Sequence, residues 1–164
     1  MRHANTENSP TKQDFDRMLT ERGKLEAAEA ATFLHAYQID KMIVSYAKRT
    51  VQTSNIIREE ITPREIEIVT GLYQGSEESI LELISTQKDH NKCVLIVGHN
   101  PIIYNIVLAL SETNSPKYDS LIMTSMSTAQ IVMIDFPSIN SWKEIQRSKG
   151  NIIEIFVPST LSPA

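Results

Sequence analysis

The chain has 164 residues, 41% hydrophobic and 22% charged, enough for one domain with a closed core. Such a composition excludes the disordered and collagen-like classes. The net charge of −4 excludes a general nucleic-acid binder, which needs a basic face to displace phosphate counterions, so any anion site has to be local.

The polar start is not a signal peptide. The longest apolar stretch, around Ile102–Leu110, is far short of the roughly 20 residues that span a bilayer. The single cysteine, Cys93, makes neither an internal disulfide nor a cysteine-based zinc site. It lies in the apolar run 93–97 and reads as a core residue of a protein in the reducing cytoplasm.

Residues 5–18 lack apolar periodicity and read as a loop, with Pro10 and Asp14 as turn formers. Leu19, Gly23, Ala27, Ala30, Phe33 and Tyr37 fall on one stripe at helical spacing, and Thr20 can cap that helix, over 20–38. Met42–Ser45 is a short buried strand, 47–60 a helix with Ile56 and Ile57 inward, and Ile66–Val69 a second strand. Ser76–Thr86 is a helix with Ser76 as N-cap and Glu77 and Glu78 at the positive end of its dipole. Cys93–Val97 is a strand and 101–110 a helix. Residues 111–127, with Pro116, read as a loop. Thr128–Phe136 and Ile152–Val157 are β-rich, with a helical turn over Ser141–Ile145.

Alternating strands and helices predict an α/β three-layer sandwich. Its central sheet is mostly parallel, with an antiparallel part from the C-terminal strands. No repeat or linker divides residues 1–164, which read as one domain.

Three local patterns carry chemistry. In Gly98-His99-Asn100-Pro101, Asn100 suits a helix N-cap and Pro101 the first helical position. His99 is thereby delivered to the carboxyl edge of the sheet, where α/β folds bind ligands. Arg2-His3 pairs a guanidinium, which forks onto phosphate oxygens, with an imidazole, a nucleophile near neutral pH. Arg49 opens the helix after the Met42–Ser45 strand, again at a carboxyl edge. Each has a bland explanation taken alone: a strand-to-helix turn, a solvated terminus, a surface arginine beside Lys48. Together they describe a phosphoryl site with a nucleophile.

These residues resemble the histidine phosphatase superfamily, and its small SixA-type phosphohistidine phosphatases most. Arg2-His3-Ala4 stands where the family has Arg-His-Gly or Arg-His-Ala. Arg17-Met18-Leu19-Thr20-Glu21-Arg22-Gly23 stands for Arg-Pro-Leu-Thr-x-x-Gly. Residues 45–53 stand for the Ser-Ser-Pro-Ala-x-Arg-x-x-Gln-Thr segment. Leu72-Tyr73, Gly98-His99-Asn100-Pro101, Met126-Ser127-Thr128-Ala129 and Trp142 follow in order. The resemblance implies that His3 attacks phosphorus, that Arg2 and Arg49 neutralise the phosphoryl oxygens, and that a protonated His99 adds a donor. It also implies a phosphate ion as product and neither metal nor cofactor. The partner it implies is a phosphohistidine-bearing signalling or phosphotransfer protein, with no nucleic acid and no membrane. His35 and His90 show no ligand spacing.

The pattern departs from the family in three places. The family's first strand, ending at the Arg-His pair, is missing before Arg2. This predicts an apolar slot in the sheet and, unless the natural start lies upstream or another segment fills the gap, a frayed His3. Tyr46 replaces a serine, and no proline follows it. No carboxylate suited to protonating an alcohol leaving group occurs near Leu72–Gly75, where Gln74 stands. That lack favours an imidazole leaving group over an alkoxide. The other readings are a phosphatase of small esters, which needs such an acid, and an impaired phosphoryl-binding protein.

Overall fold

The computed structural model of the chain describes residues 1–8, 10–115 and 117–159. Its centre is β1 (Lys41–Ser45), flanked by β2 (Glu65–Val69) and β3 (Val94–Val97), all parallel in the order β2-β1-β3. Side chains alternate across such a strand. Met42 and Val44, with Leu95 and Val97, face one helical layer, α1 (Glu21–Leu34) and α2 (Lys48–Glu60). Ile43 faces the other, where α4 (Glu77–Ser85) and α5 (Ile102–Leu110) bring Ile80, Ile84, Ile106 and Leu110. Burial on both faces explains the unbroken apolar runs of β1 and β3. Each fully buried side chain, such as Met42 or Ile43, contributes roughly 1.5–3 kcal/mol.

A short helix, α3 (Gly71–Gln74), follows β2. The chain ends in an antiparallel pair, β4 (Ile131–Asp135) and β5 (Asn151–Phe156). The fold is thus the expected α/β arrangement, with a mostly parallel sheet and a separate antiparallel pair.

The first residues join the two sheets. Arg2 bridges in parallel to Gly98, and its N–H donates to the Gln130 carbonyl at 3.1 Å. The His3 N–H donates to the Gly98 carbonyl at 3.0 Å, and the Ala129 N–H to the His3 carbonyl at 3.0 Å. His3 is therefore held from both sides and is 8% exposed, which corrects the expectation of a frayed residue. Met1, Ile96, Ile103, Val107, Val132 and Ile134 are among the lining of an apolar cavity of about 130 Å³ between β3 and β4.

Helix α1 starts as predicted, with Thr20 Oγ1 accepting from the Gly23 N–H at 3.0 Å. Gly23 is required for packing, since a Cβ there would collide with the Asn5 carbonyl. Four local expectations are corrected. The loop over 5–18 contains a 3-10 turn, Asp14–Asp16. The segment 111–127 contains a helix, α6 (Tyr118–Thr124), whose Leu121 is buried among Ile103, Val107 and Met126; Pro116 lies outside the described residues. Asn100 does not cap α5, because its Nδ2 donates instead to the Met126 carbonyl at 3.0 Å. Cys93 is only partly buried, just before β3. Among the described residues no helix is long and apolar enough to cross a membrane.

Candidate active site

The carboxyl ends of β1 and β3 set up the site. Arg49 is the second residue of α2, and His99 follows β3 by two residues. Arg2 and His3 run beside Gly98. The structure thus brings Arg2, His3, Arg49 and His99 onto one cleft of about 350 Å³, which Asn5, Thr6, Asp14, Arg17, Asn100 and Thr128 also line. His35 and His90 are exposed and outside it.

Each of the four is fixed by hydrogen bonds. The His3 ring is bonded through Nδ1 to the Ala4 carbonyl at 2.8 Å. A carbonyl only accepts, so Nδ1 carries the proton and Nε2 keeps its lone pair. Burial, the largest effect, pushes the His3 pKa down to about 3, with further lowering by His99, Arg49 and Arg2; the imidazole is neutral near pH 7. The backbone beside it is anchored by the Ala4 N–H donating to Thr53 Oγ1 at 3.1 Å and the Asn5 N–H donating to buried Glu26 at 2.9 Å.

Arg49 is 5% exposed and donates in three directions: from Nε to His99 Nδ1 at 3.2 Å, from Nη2 to Asp14 Oδ2 at 2.8 Å, and from Nη1 to the Asp14 carbonyl. His99 Nε2 pairs with Ser45 Oγ at 2.8 Å. A nitrogen that accepts from a guanidinium carries no proton, so His99 is neutral here. This corrects the expected imidazolium. Burial first, then Arg49, pushes the His99 pKa down to about 4. The two rings lie 5.2 Å apart. Arg2 Nη1 donates to the Met126 carbonyl at 2.7 Å, whereas its buried Nε has no hydrogen-bond partner among the described residues.

The site is therefore a local positive cleft in an acidic protein. Two guanidiniums face an imidazole with an available lone pair, an arrangement suited to binding a phosphoryl group and attacking it. Among the described residues no group of three or more His, Cys, Asp or Glu is arranged to hold a metal ion.

Sequence reasoning missed three contributors. Asp14 reads as a turn former, yet its carboxylate joins Arg49, Arg17 and Tyr73. Ser45 ends a strand and gives no sign of holding a histidine. Glu26 sits in a helix of ordinary composition and is fully buried beneath Asn5. By contrast, Glu77 and Glu78 are both engaged by Arg147 and line no part of the cleft.

Residues 1–80 match the family model of the histidine phosphatase superfamily (branch 1). An uncharacterized protein of Mycobacterium leprae (strain TN) is 28% identical over 149 residues, covering 88% of this chain and 89% of that protein. Among solved structures, one named for phosphohistidine phosphatase SixA of Nakamurella multipartitia superposes with a TM-score of 0.84 at 23% identity, over 97% of this chain and 94% of its own. The protein histidine phosphatase SixA complexed with tungstate superposes with a TM-score of 0.78 at 20% identity, over 99% and 97% of the two chains.

Proposed function

We propose that this chain, which belongs to the histidine phosphatase superfamily and is a histidine-type phosphatase, removes the phosphoryl group from phosphohistidine on a protein, by way of a phosphohistidine formed on its own His3. One observation carries this reading: the bond from His3 Nδ1 to the Ala4 carbonyl leaves Nε2 as a fixed, unprotonated nucleophile on a cleft lined by two arginines.

In the first step Nε2 of His3 bonds to phosphorus as the substrate's phosphorus–nitrogen bond breaks, and the electron pair of that bond returns to the substrate ring. Arg2 and Arg49 hold the phosphoryl oxygens, Arg2 through its unpartnered Nε. A dianion beside His99 favours that ring's protonated form; a proton taken up on Nδ1 ends the bond from Arg49 Nε and makes Nδ1 a donor. In the second step water bonds to phosphorus, the pair returns to Nε2, and the released proton stays with phosphate. A leaving group that needs no proton from the enzyme fits the carboxylates: Glu77 and Glu78 are tied to Arg147 and line no part of the cleft, and Asp14, which does, is held as an acceptor by Arg17, Arg49 and Tyr73.

The test is phosphate release from a phosphohistidine peptide beside para-nitrophenyl phosphate. Faster release from phosphohistidine is expected. A clear preference for the ester would favour the small-ester reading and overturn this one.

A further inference from the structure

Asp14 is the one carboxylate among the residues lining the cleft, and phosphate binding alone gives no reason for it. A negative charge beside Arg49 opposes the arrival of a dianion and repels ester substrates whose leaving groups are anionic. It is nonetheless well held. Its Oδ2 accepts from Arg49 Nη2 at 2.8 Å and from the Tyr73 hydroxyl at 2.7 Å, and its Oδ1 from Arg17 Nη1 at 3.0 Å. The Tyr73 hydroxyl first, then Arg17 and Arg49, hold its carboxyl well below the usual carboxylate range. Asp14 therefore stays ionised and is an acceptor, not an acid. A carboxylate has about four acceptor sites, and these three donors leave Oδ1 with one to spare on a side chain that is half exposed.

Aromatic rings surround this carboxylate. Phe15, next in sequence, lies 4.8 Å from Tyr46 and 6.4 Å from Tyr73, and Tyr46 lies 5.4 Å from Tyr73. Tyr73 in turn stands edge-on to His99 at 5.3 Å. Three rings and one anion thus form a continuous rim that ends at the proposed reaction centre. A flat, cationic group that bears an N–H is what such a rim attracts.

We propose that Asp14, with the Phe15–Tyr46–Tyr73 patch, selects the leaving group, the rings stacking on the substrate imidazole and Asp14 accepting the N–H of its unphosphorylated ring nitrogen. The inference rests on the phosphohistidine reading above. The atoms balance without a proton donor from the enzyme. With the second ring nitrogen protonated, the departing nitrogen keeps the electron pair of the broken bond and leaves as neutral imidazole. Asp14 favours that protonated ring, and the same charge penalises a leaving group that departs as an anion. Selectivity for phosphohistidine is then a property of one residue in the 3-10 turn.

The experiment is Asp14→Asn, an isosteric change that removes the charge. kcat/KM is measured for a phosphohistidine peptide and for para-nitrophenyl phosphate, whose leaving group is aromatic but has no N–H. Inhibition by inorganic phosphate is measured alongside. The expected result is at least a tenfold fall in the phosphohistidine-to-ester ratio and tighter inhibition by phosphate. An unchanged ratio, including an equal fall of both rates from a merely structural role, overturns the inference. If the unaltered protein releases phosphate from phosphohistidine and only the ratio fails to move, this inference alone is lost. If the unaltered protein does not act on phosphohistidine, the functional reading falls and takes this one with it.

Discussion

Arg49 Nε donates to His99 Nδ1 at 3.2 Å, so the two groups at the ends of β1 and β3 are one unit. The guanidinium is aimed by the imidazole, and the imidazole is kept neutral by the guanidinium. Ser45 holds the other ring nitrogen at 2.8 Å, which leaves His99 little freedom to turn.

Removing Arg49 is therefore expected to harm the transition state more than ground-state binding. Arg49→Ala should cost roughly 3 kcal/mol, about a hundredfold in kcat, by analogy with the loss of one donor to a developing negative charge. Steady-state kinetics on a phosphohistidine peptide check this, and an unchanged kcat removes Arg49 from the site.

His3→Ala should abolish turnover, by about a thousandfold or more, as expected when a nucleophile is deleted. The variant should still bind inorganic phosphate, since Arg2 and Arg49 remain. Calorimetric titration with phosphate and a rate assay separate the two effects.

The buried histidines predict acid sensitivity. Folding lowers the pKa of His3 from the ordinary 6.5 to about 3 and that of His99 to about 4, so the unfolded chain takes up these protons first. The stability tied to their neutral forms is present above pH 6.5 and is lost as pH falls toward 4 and then 3. Each group adds a slope of at most about 1.4 kcal/mol per pH unit within its window. Denaturant unfolding at stepped pH measures the slope, and His99→Gln should flatten it. An equal slope in that variant contradicts the assignment to His99.

Gly23→Ala should disturb the site from a distance, because its Cβ meets the Asn5 carbonyl two residues after His3. Overpacking of this kind costs about 1–3 kcal/mol, a fall in Tm of roughly 5 °C for a chain this size. Thermal unfolding and kcat should drop together; a normal Tm would mean that α1 shifts without strain.

The strands and the helices that bury a regular face were legible in the sequence. Met42–Val44 and residues 94–97 are continuous apolar runs, and α1 carries its small residues at helical spacing with Thr20 as cap. Helix α6 was hidden because only Leu121 of its seven residues is buried, so no stripe marks it. Asn100 looked like a cap because its neighbours are those of a helix start, but a long-range bond to the Met126 carbonyl takes its side chain. The charge state of His99 depends on Arg49 and Ser45, 50 and 54 residues away in the chain, and no local pattern encodes it. Asp14 escaped for the same reason. Two of its partners, Arg49 and Tyr73, are 35 and 59 residues away in the chain, and an aspartate in a polar stretch reads as a turn.

The proposed mechanism turns on a covalent phosphoryl group on His3. The most direct measurement is to mix the protein with a phosphohistidine peptide, quench in alkali within the first turnover, and map phosphorylation by mass spectrometry of the N-terminal peptide. One alkali-stable, acid-labile phosphoryl group is expected on His3, absent from His3→Ala. Rapid phosphate release with His3 never modified, or with the label on another residue, would contradict it.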